Sequence, residues 1–172
     1  MFTTTRIRRH ERGLWFHHGD FKGLVAPGVY RLWSRMWSQT RDRIEVVDTL
    51  ETRFEHDLLD VMLGDASLRE ELLIVDLDDT RRALVWKDGR LAHILGPGRH
   101  AFWTRPFRLE VETFDVAEIP FEHPKAEAIR AHPGASVWFR GVEVPAHEDV
   151  RPFRDGDLAG RRPPGEQLSW KG

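Results

Sequence analysis

The sequence predicts an α+β protein, mainly β, built as a tandem repeat of small antiparallel β modules with short helices. Three observations carry that prediction. Asp88-Gly89 lies between two apolar runs in RALVWKDGRLAHILGPGRHAFW, residues 82–103. Asp-Gly so placed is a strong hairpin signal, because a type I′ turn needs two residues at positive φ. The pattern also stands earlier, as RGLWFHHGDFKGLVAPGVYRLW over residues 12–33. There Gly19, Pro27-Gly28 and Trp33 precede Gly89, Pro97-Gly98 and Trp103 by 70 positions each. A weaker third copy follows at an offset of 67, where Asp155-Gly156, Pro164-Gly165 and Trp170 match Asp88-Gly89, Pro97-Gly98 and Trp103. Matches in register without internal gaps mark a duplication, and a duplication constrains the fold more than any single motif.

Each hairpin implies a pattern of faces. With Asp88 and Gly89 as the turn, Trp86 faces Leu91 and Leu84 faces His93. Period-two alternation then places Leu84, Trp86, Leu91 and Leu95 on the core face, and Leu14, Phe16, Phe21 and Val25 on that of the first copy. In the third copy only Phe153 and Leu158 stay apolar there. Pro97-Gly98 turns the chain, and residues 100–103 are expected to return as a third strand. Gly19, Pro27, Gly28, Asp88, Gly89, Pro97 and Gly98 are thus read as structural turn residues.

The other elements follow in order. Residues 5–11 alternate as a short strand, and residues 43–49 and 108–113 as two more. Residues 57–73 read as one helix, or as two short helices broken at Gly64-Asp65. Residues 72–77, LLIVDL, suit a buried strand. Phe121-Glu122-His123 repeats Phe54-Glu55-His56 at an offset of 67. A short helix over 124–131 starts with Pro124 in its first turn, where the missing N–H costs nothing. Residues 136–144 read as a strand. Residues 157–172 carry few apolar side chains and are expected to be poorly ordered. The modules therefore divide as 1–71, 72–135 and an incomplete third repeat or tail, 136–172.

Composition bounds the function. A chain of 172 residues with 31% charged and 40% hydrophobic residues is globular, as one domain or two small ones. A net charge of −2 gives no basic field for nucleic acid. There is no cysteine, so no disulfide or thiol chemistry, which fits a reducing cytoplasm. No apolar run approaches the roughly 18 residues of a membrane span, and the basic first residues contain no secretory signal.

RRHERGLWFHHGDFKGLVAPGVYRLW, RIEVVDT, RRALVWKDGRLAHILGPGRHAFW and PFEHP together resemble the N-terminal β-repeat region of bacterial slipins. Those belong to the stomatin/prohibitin/flotillin (SPFH, band 7) superfamily. The resemblance covers nearly the whole chain. It implies a self-associating, membrane-associated scaffold without catalytic chemistry. The chain departs from the family pattern in lacking the SPFH core, a coiled-coil heptad run and a hydrophobic hairpin.

No catalytic, cofactor-binding or metal-ligating residue is expected. His17-His18 fall in a turn, where neighbouring side chains point apart and do not chelate one ion. His56 and His123 recur before a helix, and a repeated role of that kind reads as a cap or a buried hydrogen bond. There is no Gly-x-Ser-x-Gly elbow and no Gly-Lys-Ser/Thr phosphate loop. Asp76-Leu77-Asp78-Asp79 reads as a solvated loop. The interaction candidates are the basic edge Arg6, Arg8 and Arg9, flanked by Arg12, and Trp37 in a 34–42 insertion that the second module lacks. The expected function is a non-enzymatic scaffold or protein-interaction module. Its partners are another protein or further copies, with peripheral membrane association through a larger assembly, in the cytoplasm or at the inner membrane. The alternatives are an adaptor that pairs a partner strand at a sheet edge and a small His-dependent hydrolase or ligand-binding protein.

Overall fold

The computed structural model describes residues 2–33, 42–117, 121–144, 153–154, 157–158 and 165–171. The first repeat contains β1 (Phe2–Ile7), β2 (Glu11–His17), β3 (Asp20–Val25), β4 (Gly28–Trp33), β5 (Asp42–Asp48), β6 (Arg53–Phe54), α1 (Leu59–Met62) and α2 (Ala66–Glu71). The second contains β7 (Leu72–Leu77), β8 (Arg81–Lys87), β9 (Arg90–Leu95), β10 (Gly98–Trp103), β11 (Leu109–Asp115), α3 (Ala126–Arg130) and α4 (Ala135–Trp138). The third contains β12 (Phe139–Val144), β13 (Phe153–Arg154), β14 (Asp157–Leu158) and β15 (Gly165–Trp170). The protein is α+β and mainly β, a tandem repeat of small antiparallel sheets with short helices. The break at Gly64-Asp65 gives two helices in place of one.

The two complete hairpins are the same hairpin. Gly13↔Val25, Leu14↔Leu24, Trp15↔Gly23 and Phe16↔Phe21 pair across β2 and β3. Ala83↔Leu95, Leu84↔Ile94, Val85↔His93 and Trp86↔Leu91 pair across β8 and β9, each 70 positions on. Both turns take positive φ at both central residues: His18 and Gly19 at 55° and 92°, Asp88 and Gly89 at 49° and 79°. Both ladders also slip by one residue, between Trp15 and Phe16 and between Val85 and Trp86. That bulge corrects the expected faces. Trp86 does face Leu91, but Leu84 faces Ile94, and His93 lies opposite Val85. An extra residue in one strand reverses the parity beyond it. Ile94 and Leu24 therefore join the cores where Leu95 and Val25 were expected. Val25 instead lies with Ile7 and Ile44 around Gly13.

The strands flanking each hairpin pair with one another. β1 pairs with β4 and β12 with β15, and β10 is the middle strand of the sheet β6-β10-β7. Residues 100–103 thus do not extend the β8–β9 meander as expected. Gly98, at φ +119°, leads the chain away from β9. Ala101 then pairs with Phe54 and buries beside Trp103. Burial of these side chains against the first repeat outweighs the local preference to continue the hairpin.

Two compact units result. Unit one holds residues 1–76 and 99–109; unit two holds 77–98 and 110–172. The sequence modules 1–71, 72–135 and 136–172 and these units divide the chain differently, because each unit takes one repeat's hairpin and helices plus the next repeat's strand pair. The core of unit one is Leu14, Phe16, Phe54, Met62, Leu68, Leu72, Ala101 and Trp103. That of unit two is Leu84, Trp86, Phe121, Ile129, Ala135, Phe139, Leu168 and Trp170. The two sets correspond one to one, at the offset of 70 within the hairpin and 67 beyond it. Residues 165–170, expected to be poorly ordered, form β15, and Trp170 is 5% exposed. The strand expected over 136–144 begins only at Phe139, because Ala135–Trp138 forms α4.

Helix α2 shows how a short helix is held. Asp65 is its N-cap, accepting the Leu68 N–H at 3.1 Å and the Ser67 hydroxyl. The Ser67 bond first, then the backbone N–H groups, hold its carboxyl below the usual carboxylate range. A depressed acid contributes stability that is present above its unfolded-state pKa and lost as pH falls through the folded one. Asp65→Ala is expected to cost unit one about 1 kcal/mol near neutral pH. The difference from wild type in urea titrations should shrink once the pH drops below about 4.

Candidate interaction site

The repeated histidines are built into the cores. The His56 ring lies between those of Phe16 and Phe54, at 5.7 and 6.4 Å and nearly parallel to both. His123 lies between Trp86 and Phe121 in the same way, at 5.6 and 6.0 Å. Nδ1 accepts a backbone N–H at the start of the following helix, from Leu58 or Lys125, at 3.0 Å in each case. The ring proton therefore sits on Nε2, which faces Glu45 at 3.3 Å or Glu112 at 2.8 Å. With both nitrogens engaged, neither imidazole presents a lone pair to a substrate. His123→Phe keeps a ring in the stack but leaves the Glu112 carboxylate and the Lys125 N–H without it. The expected cost is about 1–2 kcal/mol in the unfolding of unit two.

Of the adjacent pair only His18 is a central turn residue, while His17 ends β2. Their rings meet edge-on at 4.4 Å where they were expected to point apart. His17 Nδ1 is 2.6 Å from Asp42 Oδ1, which also accepts the Trp15 indole N–H at 3.3 Å. The His17 bond holds the Asp42 carboxyl below its usual range. The acidic string resolves into separate tasks. Asp78 accepts the Thr80 N–H and hydroxyl within its turn, and Asp76 binds Arg99. Among the described residues no group of three or more His, Asp or Glu is placed to hold a metal ion. No helix among them is long and apolar enough to cross a membrane.

Of the predicted interaction residues, Arg6 is exposed on β1, opposite Val29, and Arg8 and Arg9 are exposed in the turn after it. Arg12 leaves that edge, because its guanidinium binds Glu71 at 3.1 Å. Trp37 and residues 34–41 of its insertion lie outside the described residues. Gly28 and Pro27 sit at the start of β4 as Gly98 and Pro97 do at β10.

A groove of about 470 Å3 in unit one went unforeseen. Its apolar lining is Leu63, Leu72 and Ile74, and its charged lining is Arg69, Asp76 and Arg99. The Arg99 guanidinium is fixed as a fork: Nη1 reaches Asp60 at 2.7 Å, while Nη2 and Nε reach Asp76 at 2.7 and 3.0 Å. Asp76 first, then Asp60, raise its pKa further. Arg69, on the last turn of α2, has no side-chain partner among the described residues. Sequence gave no sign of the fork, because Val29 and Glu166 stand at the positions equivalent to Arg99. The dyads did leave one: Glu45 and Glu112 each precede their histidine by 11 positions.

Comparison with protein-family profiles, curated proteins and solved structures finds no match to this chain.

Proposed function

We propose that this chain is a non-enzymatic scaffold or protein-interaction module, similar in architecture to the N-terminal β-repeats of slipins. The carrying observation is the pair of matched eight-residue cores, each closed by strands from the following repeat. A chain whose modules are completed by the next repeat is suited to extended assemblies. The dyads support the same reading. Each histidine is spent on its own carboxylate and helix start, within its own unit, which disfavours a hydrolase built on them. Peripheral membrane association belongs to this proposal through a larger assembly and through the exposed arginines of the β1–β2 turn.

Size-exclusion chromatography with light scattering tests the self-association. The expected result is a mass that rises with concentration; a strict monomer at high concentration counts against assembly. The adaptor reading has an observation of its own, the open edge of β7.

A further inference from the structure

We propose that the open edge of β7 and the groove beside it bind an extended peptide segment by strand addition, with an apolar side chain seated on Leu63, Leu72 and Ile74 and a carboxylate at Arg69. The proposal rests on the interaction-module reading and names the ligand class for it.

The edge is the first observation. β7 is an outer strand of the sheet β6-β10-β7, so β10 is its one strand neighbour among the described residues. Every second backbone amide of an edge strand points away from its sheet and can accept or donate to an added strand. Side chains take up single backbone groups on two other outer strands. The Ser67 hydroxyl accepts the Leu24 N–H of β3. His132 Nε2, 3.2 Å from the Ala92 carbonyl, takes up an acceptor of β9. Beyond the Leu72 N–H, which bonds back to Arg69 O, no such closure lies along β7 among the described residues.

The groove is the second. Leu72, Ile74 and Asp76 alternate along β7 and all line it. An added strand repeats its side chains at the same period of two. Its volume is in the range of sites that hold small ligands or a few side chains.

Charge is the third. The lining carries Arg69 and Arg99 against Asp76, and Asp60 and Asp76 already neutralise and immobilise Arg99. Among the described residues of the lining Arg69 is the cation left to select a ligand, and it selects a carboxylate. The sequence of unit two does not repeat this lining. The equivalent positions hold Arg130, Ser136, Phe139, Gly141, Glu143 and Glu166, which keep one of the three apolar side chains and put acids at the Asp76 and Arg99 positions.

The test uses the full 172-residue chain and a panel of labelled eight-residue peptides of alternating valine and threonine. One set carries a single glutamate, a second carries lysine in its place, and a third is the glutamate set N-methylated at alternate residues. Fluorescence anisotropy reads the affinity, and amide shifts in NMR locate the site. Saturable binding of the glutamate peptides is expected, with shifts along residues 72–77 and at least about tenfold weaker binding of the lysine set. N-methylation should abolish binding. Arg69→Glu, an exposed change, should invert the preference between glutamate and lysine. Equal binding of the N-methylated set, an Arg69→Glu chain with unchanged preference, or no saturable binding by folded protein would each overturn the proposal. If light scattering still reports self-association in that last case, the scaffold reading stands and only this site is lost.

Discussion

Trp103→Ala is expected to cost unit one about 3–5 kcal/mol, and Trp170→Ala to cost unit two as much. Each indole comes from the repeat after the hairpin it covers. Trp103 is 1% exposed, its ring edge-on to Phe54 at 5.1 Å. Trp170 stacks on Phe139 at 4.1 Å and meets Phe121 edge-on at 5.1 Å. Removing either ring opens a cavity in a core of eight buried side chains among the described residues. A third variant separates packing from hydrogen bonding. Trp170 Nε1 is buried without a partner among the described residues, so Trp170→Phe loses volume but also that unsatisfied donor. It should cost no more than about 1 kcal/mol. Urea unfolding of the three variants checks this, and a Trp170→Ala loss below about 1 kcal/mol would mean that β15 does not close its unit.

Gly96→Ala is expected to destabilise unit two by about 1–3 kcal/mol through overpacking. A Cβ there would lie 2.1 Å from Trp138 Cη2 and 2.8 Å from two further ring atoms. The indole cannot swing aside freely, since the Arg82 guanidinium lies over it at 5.4 Å and the ring packs on the core of unit two. The first repeat has solved the same position with the opposite pair. Ala26 stands where Gly96 does, and Glu71 where Trp138 does. The alanine cost should therefore vanish in a Trp138→Glu background, giving a coupling energy of about 1–3 kcal/mol in a double-mutant cycle. Additive losses would place the clash elsewhere.

What the sequence could reveal followed from local rules. Positive-φ turns, alternation and a fixed offset are written in nearest neighbours, so the hairpins, β7 and the repeated Phe-Glu-His were legible. The offset also implied that Trp33, Trp103 and Trp170 are one position, and the last two fill equivalent places in the two cores. The misreadings came from long-range choices. A single bulge exchanged Leu95 for Ile94 on the core face. The partner of β10 was decided by burial against Phe54, 47 positions upstream of Ala101, which no local pattern encodes. Residues 157–172 carry few apolar side chains and were expected to be poorly ordered, yet Leu168 and Trp170 are buried in the core of their unit. The candidate site was illegible for a related reason. Arg69 and Arg99 have Ser136 and Glu166 at their equivalent positions, so the repeat that exposed the fold hid them.

Backbone nuclear Overhauser contacts test the interleaved architecture most directly. The account predicts cross-strand contacts between Phe54 and Ala101, and between Phe121 and Leu168. Contacts joining residues 98–103 to β9 in a continuous meander, with none to Phe54, would contradict it.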